Sequence, residues 1–123
     1  MIKDNCGVSC IRKLLSFTGK VDEKLIRKLE YRVNEEGLSF LNMMEVMNEY
    51  GYEVKAYRSE LPYYETPYLM FDSKKKHYYL IMKFDDKYCY MYDPNIGDLK
   101  IYRKLFKLFW CQYYLTICYN KAE

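Results

Sequence analysis

The hydrophobic period of this 123-residue chain changes once, at Gly51, and that change restricts the fold more than any other feature. Before it, apolar residues recur at three- and four-residue spacing, as on one face of an α-helix. After it they alternate, as on one face of a strand. Val8, Ile11, Leu14, Leu15 and Thr18 mark a first helix from about Cys6 to Thr18, with Gly19 as a left-handed stop. Asp22 is placed to cap a second helix, whose Leu25, Ile26, Leu29 and Val33 share a face and which ends near Asn34. Ser39 caps a third, Phe40 to Tyr50, with Leu41, Met44, Val46 and Met47 turned inward.

Beyond Gly51, Tyr52, Val54 and Ala56 alternate with Glu53, Lys55 and Tyr57. Strand-like runs follow at Tyr68–Phe71, His77–Phe84, Lys87–Tyr92, Leu99–Tyr102 and Tyr113–Tyr119, with a short helix over Lys104–Trp110. Asp85-Asp86 makes a hairpin of two of these runs, and Asp93-Pro94-Asn95-Ile96-Gly97 makes a second turn, because proline presets one turn position and glycine permits another. Helices first and strands afterwards is the order of an α+β domain, here three N-terminal helices packed on a C-terminal antiparallel sheet. A chain of this length reads as a single domain over residues 1–123, able to bury roughly two-thirds of its unfolded surface.

Composition removes several classes of function. A net charge of +3, spread evenly, does not describe a nucleic-acid binder, and the longest basic run is Lys74-Lys75-Lys76. Five cysteines, Cys6, Cys10, Cys89, Cys111 and Cys118, are an odd number without metal-type pairing, so neither a complete disulfide framework nor a cofactor is expected. No apolar run approaches the length that spans a bilayer, and the expectation is a soluble protein in a reducing cytoplasm.

The chemistry gathers on three residues. Cys6 opens a helix, where backbone amides and the macrodipole favour a thiolate; taken alone, a cysteine there is more often a small buried hydrophobe. His77 is the one histidine, which excludes a histidine-rich metal site, and it stands at the start of a strand. Equal strand lengths on either side of Asp85-Asp86 bring it alongside Tyr92–Asp93. Asp93 alone reads as turn chemistry, but a carboxylate beside an imidazole orients the ring and stabilises its charged form. Together the three make a Cys6–His77–Asp93 constellation.

A resemblance agrees with this. Asp4-Asn5-Cys6-Gly7-Val8-Ser9-Cys10-Ile11, Gly37-Leu38-Ser39 before a helix closed by Gly51-Tyr52, His77-Tyr78-Tyr79-Leu80, the Asp93–Gly97 turn, and Phe106 with Trp110 resemble the C39 peptidase family. These are papain-like cysteine peptidase domains of bacteriocin- and peptide-exporting ABC transporters. The resemblance implies a papain-like α+β fold, with Cys6 as nucleophile, His77 as general base and acid, and Asp93 as the orienting group. It also implies a precursor peptide with a double-glycine leader as substrate, the membrane and ATP-binding domains of an exporter as partners, and a cytoplasmic site at the inner face of the membrane.

The family's oxyanion glutamine lies six residues before the cysteine, a position that here falls before Met1. Asn5 stands where the family has aspartate, and the chain's one glutamine, Gln112, is distant in sequence. Beside cleavage, the resemblance therefore leaves an alternative: a C39-like domain that binds leader or transport substrate without cutting it. Read without the family, the tyrosine-rich sheet also fits a non-catalytic peptide adaptor.

Overall fold

Two helices begin where a side chain can satisfy their first backbone amides. Asp22 accepts hydrogen bonds from the amides of Lys24 and Leu25 at the start of α2 (Glu23–Arg32), and Ser39 accepts one from Asn42 at the start of α3 (Phe40–Glu49). They follow α1 (Cys6–Ser16), which ends before Gly19, a residue at φ +88°. These details come from a computed structural model that describes residues 6–17, 19–35 and 37–120, with side chains described as far as Ile117. Asp4 and Asn5, which precede α1 in the resembling motif, and Thr18, the expected last residue of α1, lie outside the described residues, as does the Cys118 side chain.

The second half forms one antiparallel sheet of β1 (Tyr52–Arg58), β2 (Tyr68–Asp72), β3 (His77–Phe84), β4 (Tyr88–Asp93), β5 (Gly97–Tyr102) and β6 (Tyr113–Asn120). Its order is β1-β6-β2-β3-β4-β5, so the last strand is inserted between the first two. Side chains alternate across it and build two cores. On one face, Leu69, Tyr78, Leu80, Leu115 and Val54 pack against the apolar stripes of α1, α2 and α3. On the other, Tyr68, Met70, Ile81, Cys89, Met91 and Tyr114 pack under Phe106 and Trp110. The expected helix over Lys104–Trp110 is a 3-10 turn, Arg103–Leu105, followed by a single α-turn, α4 (Phe106–Phe109).

One expectation for α3 is corrected. Leu41 is 64% exposed, and Met43 takes the inward place with Val46 and Met47. The inner stripe of α3 is set by α1, because the Met43 methyl lies against Gly7. A Cβ built on Gly7 would stand 2.6 Å from Met43 Cε and 3.2 Å from the Tyr78 ring. Glycine therefore lets the first turn of α1 approach β3 and α3 more closely than any other residue would. Gly7→Ala should lower stability by about 1 kcal/mol, the lower end of overpacking costs, because the Met43 methyl can yield whereas the wedged Tyr78 ring cannot. Chemical denaturation checks this, and a variant as stable as the parent would contradict the close approach.

Candidate active site

His77 is placed by the first residue of β3 and Asp93 by the last of β4, so both stand at one end of the sheet. Alternation puts His77 on the face that carries Ile81, and Asp93 on the face that carries Cys89 and Met91, which is the same face. The two are 8% and 7% exposed, and His77 Nε2 lies 2.8 Å from Asp93 Oδ1. The pairing is diagonal rather than directly opposite. Leu80 faces Tyr92, and a bulge between Ile81 and Lys83 shifts the register, so the carboxylate reaches back along the strand to the ring. Equal strand lengths led to the right neighbourhood without this bulge.

Asp93 also holds its turn. The same Oδ1 accepts from the amide of Asn95 at 2.9 Å, and its carbonyl accepts from Ile96 N at 2.9 Å. Gly97 completes the turn at φ +107°. With a carboxylate as its partner, the ring donates through Nε2 and turns Nδ1 away from Asp93.

Cys6, in the first turn of α1, is 6% exposed. α1 packs on β3 and reaches β4, where Ser9 Oγ lies 2.9 Å from the Tyr92 hydroxyl and Lys13 Nζ sits 5.2 Å from the Tyr92 ring. Lys13 also pairs with Asp98 at 3.3 Å, tying α1 to the strand that follows the Asp93 turn. Burial raises the pKa of Tyr78, with Cys6 the next cause. Burial raises that of Tyr79 as well, followed by Asp93, Asp72, Cys111 and Cys6. Tyr78 and Tyr79 point to opposite faces of β3, and Cys6 belongs to the helix-side core with Val8, Cys10 and Tyr78.

Two cavities border this corner, one on each side of β3. One, of about 430 Å³, is lined by Leu38, Ser39, Phe40, Lys76 and Tyr78. The other, of about 620 Å³, is lined by Asp93, Tyr79, Lys75, Leu108 and Trp110. A third, of about 660 Å³, lies beside Phe17, Met82 and Leu99, and none of Cys6, His77 and Asp93 lines it. Gln112 is not directed at the histidine; its Oε1 accepts from Arg58 at 3.4 Å. Tyr78 is a residue that sequence reasoning passed over. Its place directly after His77 in an alternating strand was the available signal, since that parity turns it toward α1.

A model of the Peptidase C39 family matches residues 2–122. The chain belongs to the Peptidase C39 family. No curated protein matches the sequence. A solved structure of a double glycine motif protease from an AMS/PCAT transporter, in complex with the leader peptide, superposes with a TM-score of 0.74 at 24% identity, covering 92% of this chain and 83% of that one. The peptidase domain of Streptococcus ComA, a bi-functional ABC transporter involved in a quorum sensing pathway, superposes with a TM-score of 0.75 at 16% identity over 93% of this chain and 90% of that one. The peptidase domain of Streptococcus mutans ComA gives a TM-score of 0.55 at 16% identity, over 70% of this chain and 79% of that one. The three share the fold of this C39 chain, an α+β arrangement of helices on an antiparallel sheet.

Three further thiols of this C39 chain, Cys10, Cys89 and Cys111, are held neutral. Burial raises Cys10, helped by Cys6 and Asp93; burial pushes Cys89 up to about 12 and Cys111 up to about 11. A thiol or phenol whose folded pKa is raised stabilises the fold fully below its unfolded pKa and loses that contribution as pH rises past it. For Cys10, whose ordinary value is 9.0, the window therefore opens at 9.0 and extends upward. Thermal melts should fall with pH from that point, by up to about 1.4 kcal/mol per pH unit for each such group. Cys10→Ala should flatten that slope while lowering stability at pH 7, and an unchanged slope would rule out the assignment.

Proposed function

We propose that this protein is a cysteine endopeptidase that removes the leader from double-glycine precursor peptides, such as bacteriocins or signalling peptides, through Cys6, His77 and Asp93. The observation that carries the reading is the buried His77–Asp93 hydrogen bond at the end of β3, beside the helix that starts with Cys6. Asp93 takes the Nε2–H and leaves Nδ1 to accept the Cys6 proton, giving a thiolate–imidazolium pair. The N-terminal dipole of α1 favours the same thiolate.

The thiolate attacks the carbonyl carbon of the second glycine, and the carbonyl oxygen takes up the negative charge. His77 returns its proton to the leaving amine as the C–N bond breaks, freeing the mature peptide and leaving the leader as a thioester on Sγ. Water then attacks, His77 accepts its proton, and the leader departs as the carboxylate while the thiol is restored. The two cavities that flank β3, one lined by Lys76 and Tyr78 and the other by Tyr79 and Asp93, are recesses a bound peptide can occupy, although neither Cys6 nor His77 lines them.

In this reading residues 1–123 form one peptidase domain that works on the cytoplasmic side of the membrane, with the membrane and ATP-binding parts of an ABC exporter as partners. Support comes from the relatives, which are peptidase domains of transporters, one of them solved with a leader peptide. Among the described residues no helix is long and apolar enough to cross a membrane.

Incubation with a double-glycine precursor, read by mass spectrometry, tests the triad. Cys6→Ala should abolish cleavage, and Asp93→Asn should lower kcat by roughly 10²–10⁴, the scale on which loss of the orienting carboxylate is felt. Turnover that survives Cys6→Ala would refute the assignment. Leader binding without cleavage by the parent protein would instead establish the non-cleaving alternative.

A further inference from the structure

Tyr78 joins three parts of the site at once. Its ring stands 3.2 Å from where a Cβ on Gly7 would be, next to Cys6, and packs on Phe40 and Phe71 with centroids at 5.7 and 4.7 Å. Its hydroxyl donates to the carbonyl of Leu38, forty residues away in the chain. Through the backbone it is bonded to His77. It is 3% exposed, and burial keeps the phenol protonated, so the hydroxyl is a donor throughout the neutral range.

Leu38 belongs to the segment between Gly37, at φ +94°, and the Ser39 cap of α3. Gly37, Leu38, Ser39 and Phe40 make one wall of the cavity of about 430 Å³, and Lys76 and Tyr78 make the facing wall. Among the described residues, Asn34 and Gly37 exchange backbone hydrogen bonds just ahead of the segment, and the Ser39 side chain anchors it to α3 just behind. Between these anchors, the side-chain tie from Leu38 to the sheet is the Tyr78 hydroxyl.

We propose that Tyr78 is a positioning residue for the substrate: its hydroxyl sets the width of the cavity beside His77 by holding the Gly37–Ser39 wall against β3. This rests on the peptidase reading above. It assigns the ring and the hydroxyl different tasks. The ring spaces the Cys6 helix from the sheet, and the hydroxyl sets how tightly the peptide is gripped. Loss of the hydroxyl removes the polar tie to the Leu38 carbonyl while the Phe40 ring contact and the buried Leu38 side chain remain, so the wall loosens without detaching, the Cys6–His77 geometry stays in place and the change falls on binding rather than on chemistry.

Tyr78→Phe is the test, since it keeps the ring packed against Gly7, Phe40 and Phe71. With a double-glycine precursor, KM should rise at least threefold while kcat changes less than twofold, and the rate of Cys6 alkylation by iodoacetamide should stay within twofold of the parent. An unchanged KM, or a fall in kcat at constant KM, overturns the proposal. Gly7→Ala presses on the ring side instead and should lower kcat more than it raises KM; the same split as Tyr78→Phe would overturn the division of tasks. If the parent binds leader without cutting, the cleavage reading fails. The tether is then read from leader affinity by fluorescence anisotropy, with weakening of at least threefold in Tyr78→Phe expected and equal affinity overturning it. A parent that neither cuts nor binds overturns both readings.

Discussion

The close approach of the first turn of α1 to β3 is the constraint on which the rest of this structure depends. It requires a residue without a side chain at Gly7, a flat ring at Tyr78 and a flexible one at Met43. Those requirements fall on three separate elements, so each element's position follows from the others. α3 turns Met43 rather than Leu41 inward because Gly7 offers the space there. β3 then carries His77 to the same corner through its bond to Tyr78. The exposed ion pairs that link the helices, such as Arg12–Glu23 at 2.7 Å, add little to this, since solvent screens them and their long side chains lose entropy on pairing.

Asp93 shows why the turn reading and the chemical reading of a residue need not compete. One oxygen accepts both the Asn95 amide that shapes the turn and the His77 ring nitrogen. The turn's geometry thus supplies the carboxylate's aim at no separate cost in chain entropy. Burying a carboxylate and an imidazole is expensive unless both are hydrogen bonded. Among the described residues no fully buried side-chain nitrogen or oxygen lacks a partner. The bulge reduces the offset between the two strands and puts Asp93 on the face of His77, so the carboxylate and the ring meet across a diagonal.

Much of the fold was legible from sequence because its signals are local. The change of period at Gly51, the caps Asp22 and Ser39 and the glycine stops each act within a few residues, and the elements appear close to where they were expected. The sheet order was not legible. Placing β6 between β1 and β2 depends on pairings between residues some sixty and forty-five positions apart, such as Val54 with Ile117 and Leu69 with Leu115, which no local spacing encodes. The same holds at the site. His77 and Asp93 could be brought near one another by counting along a hairpin, whereas the Tyr78–Leu38 link spans forty residues and two layers. Most of the sixteen tyrosines are ordinary sheet packing, as Tyr68 and Tyr114 show in their ring contacts with Trp110.

Cys6 and Cys10 are four residues apart on one helical face and both are buried. What separates them is position along the helix and not burial. Cys10 is a full turn further from the positive end of the macrodipole, which fades within the first turn, and burial is the largest cause raising its pKa. It therefore stays a thiol, and its sulfur serves the core. In the proposed reaction the helix end and the imidazole beside Asp93 both favour the Cys6 thiolate, against the cost of burial. Selective reactivity in the proposed reaction follows from one turn of helix, and the Gly7–Tyr78 contact holds that turn in place.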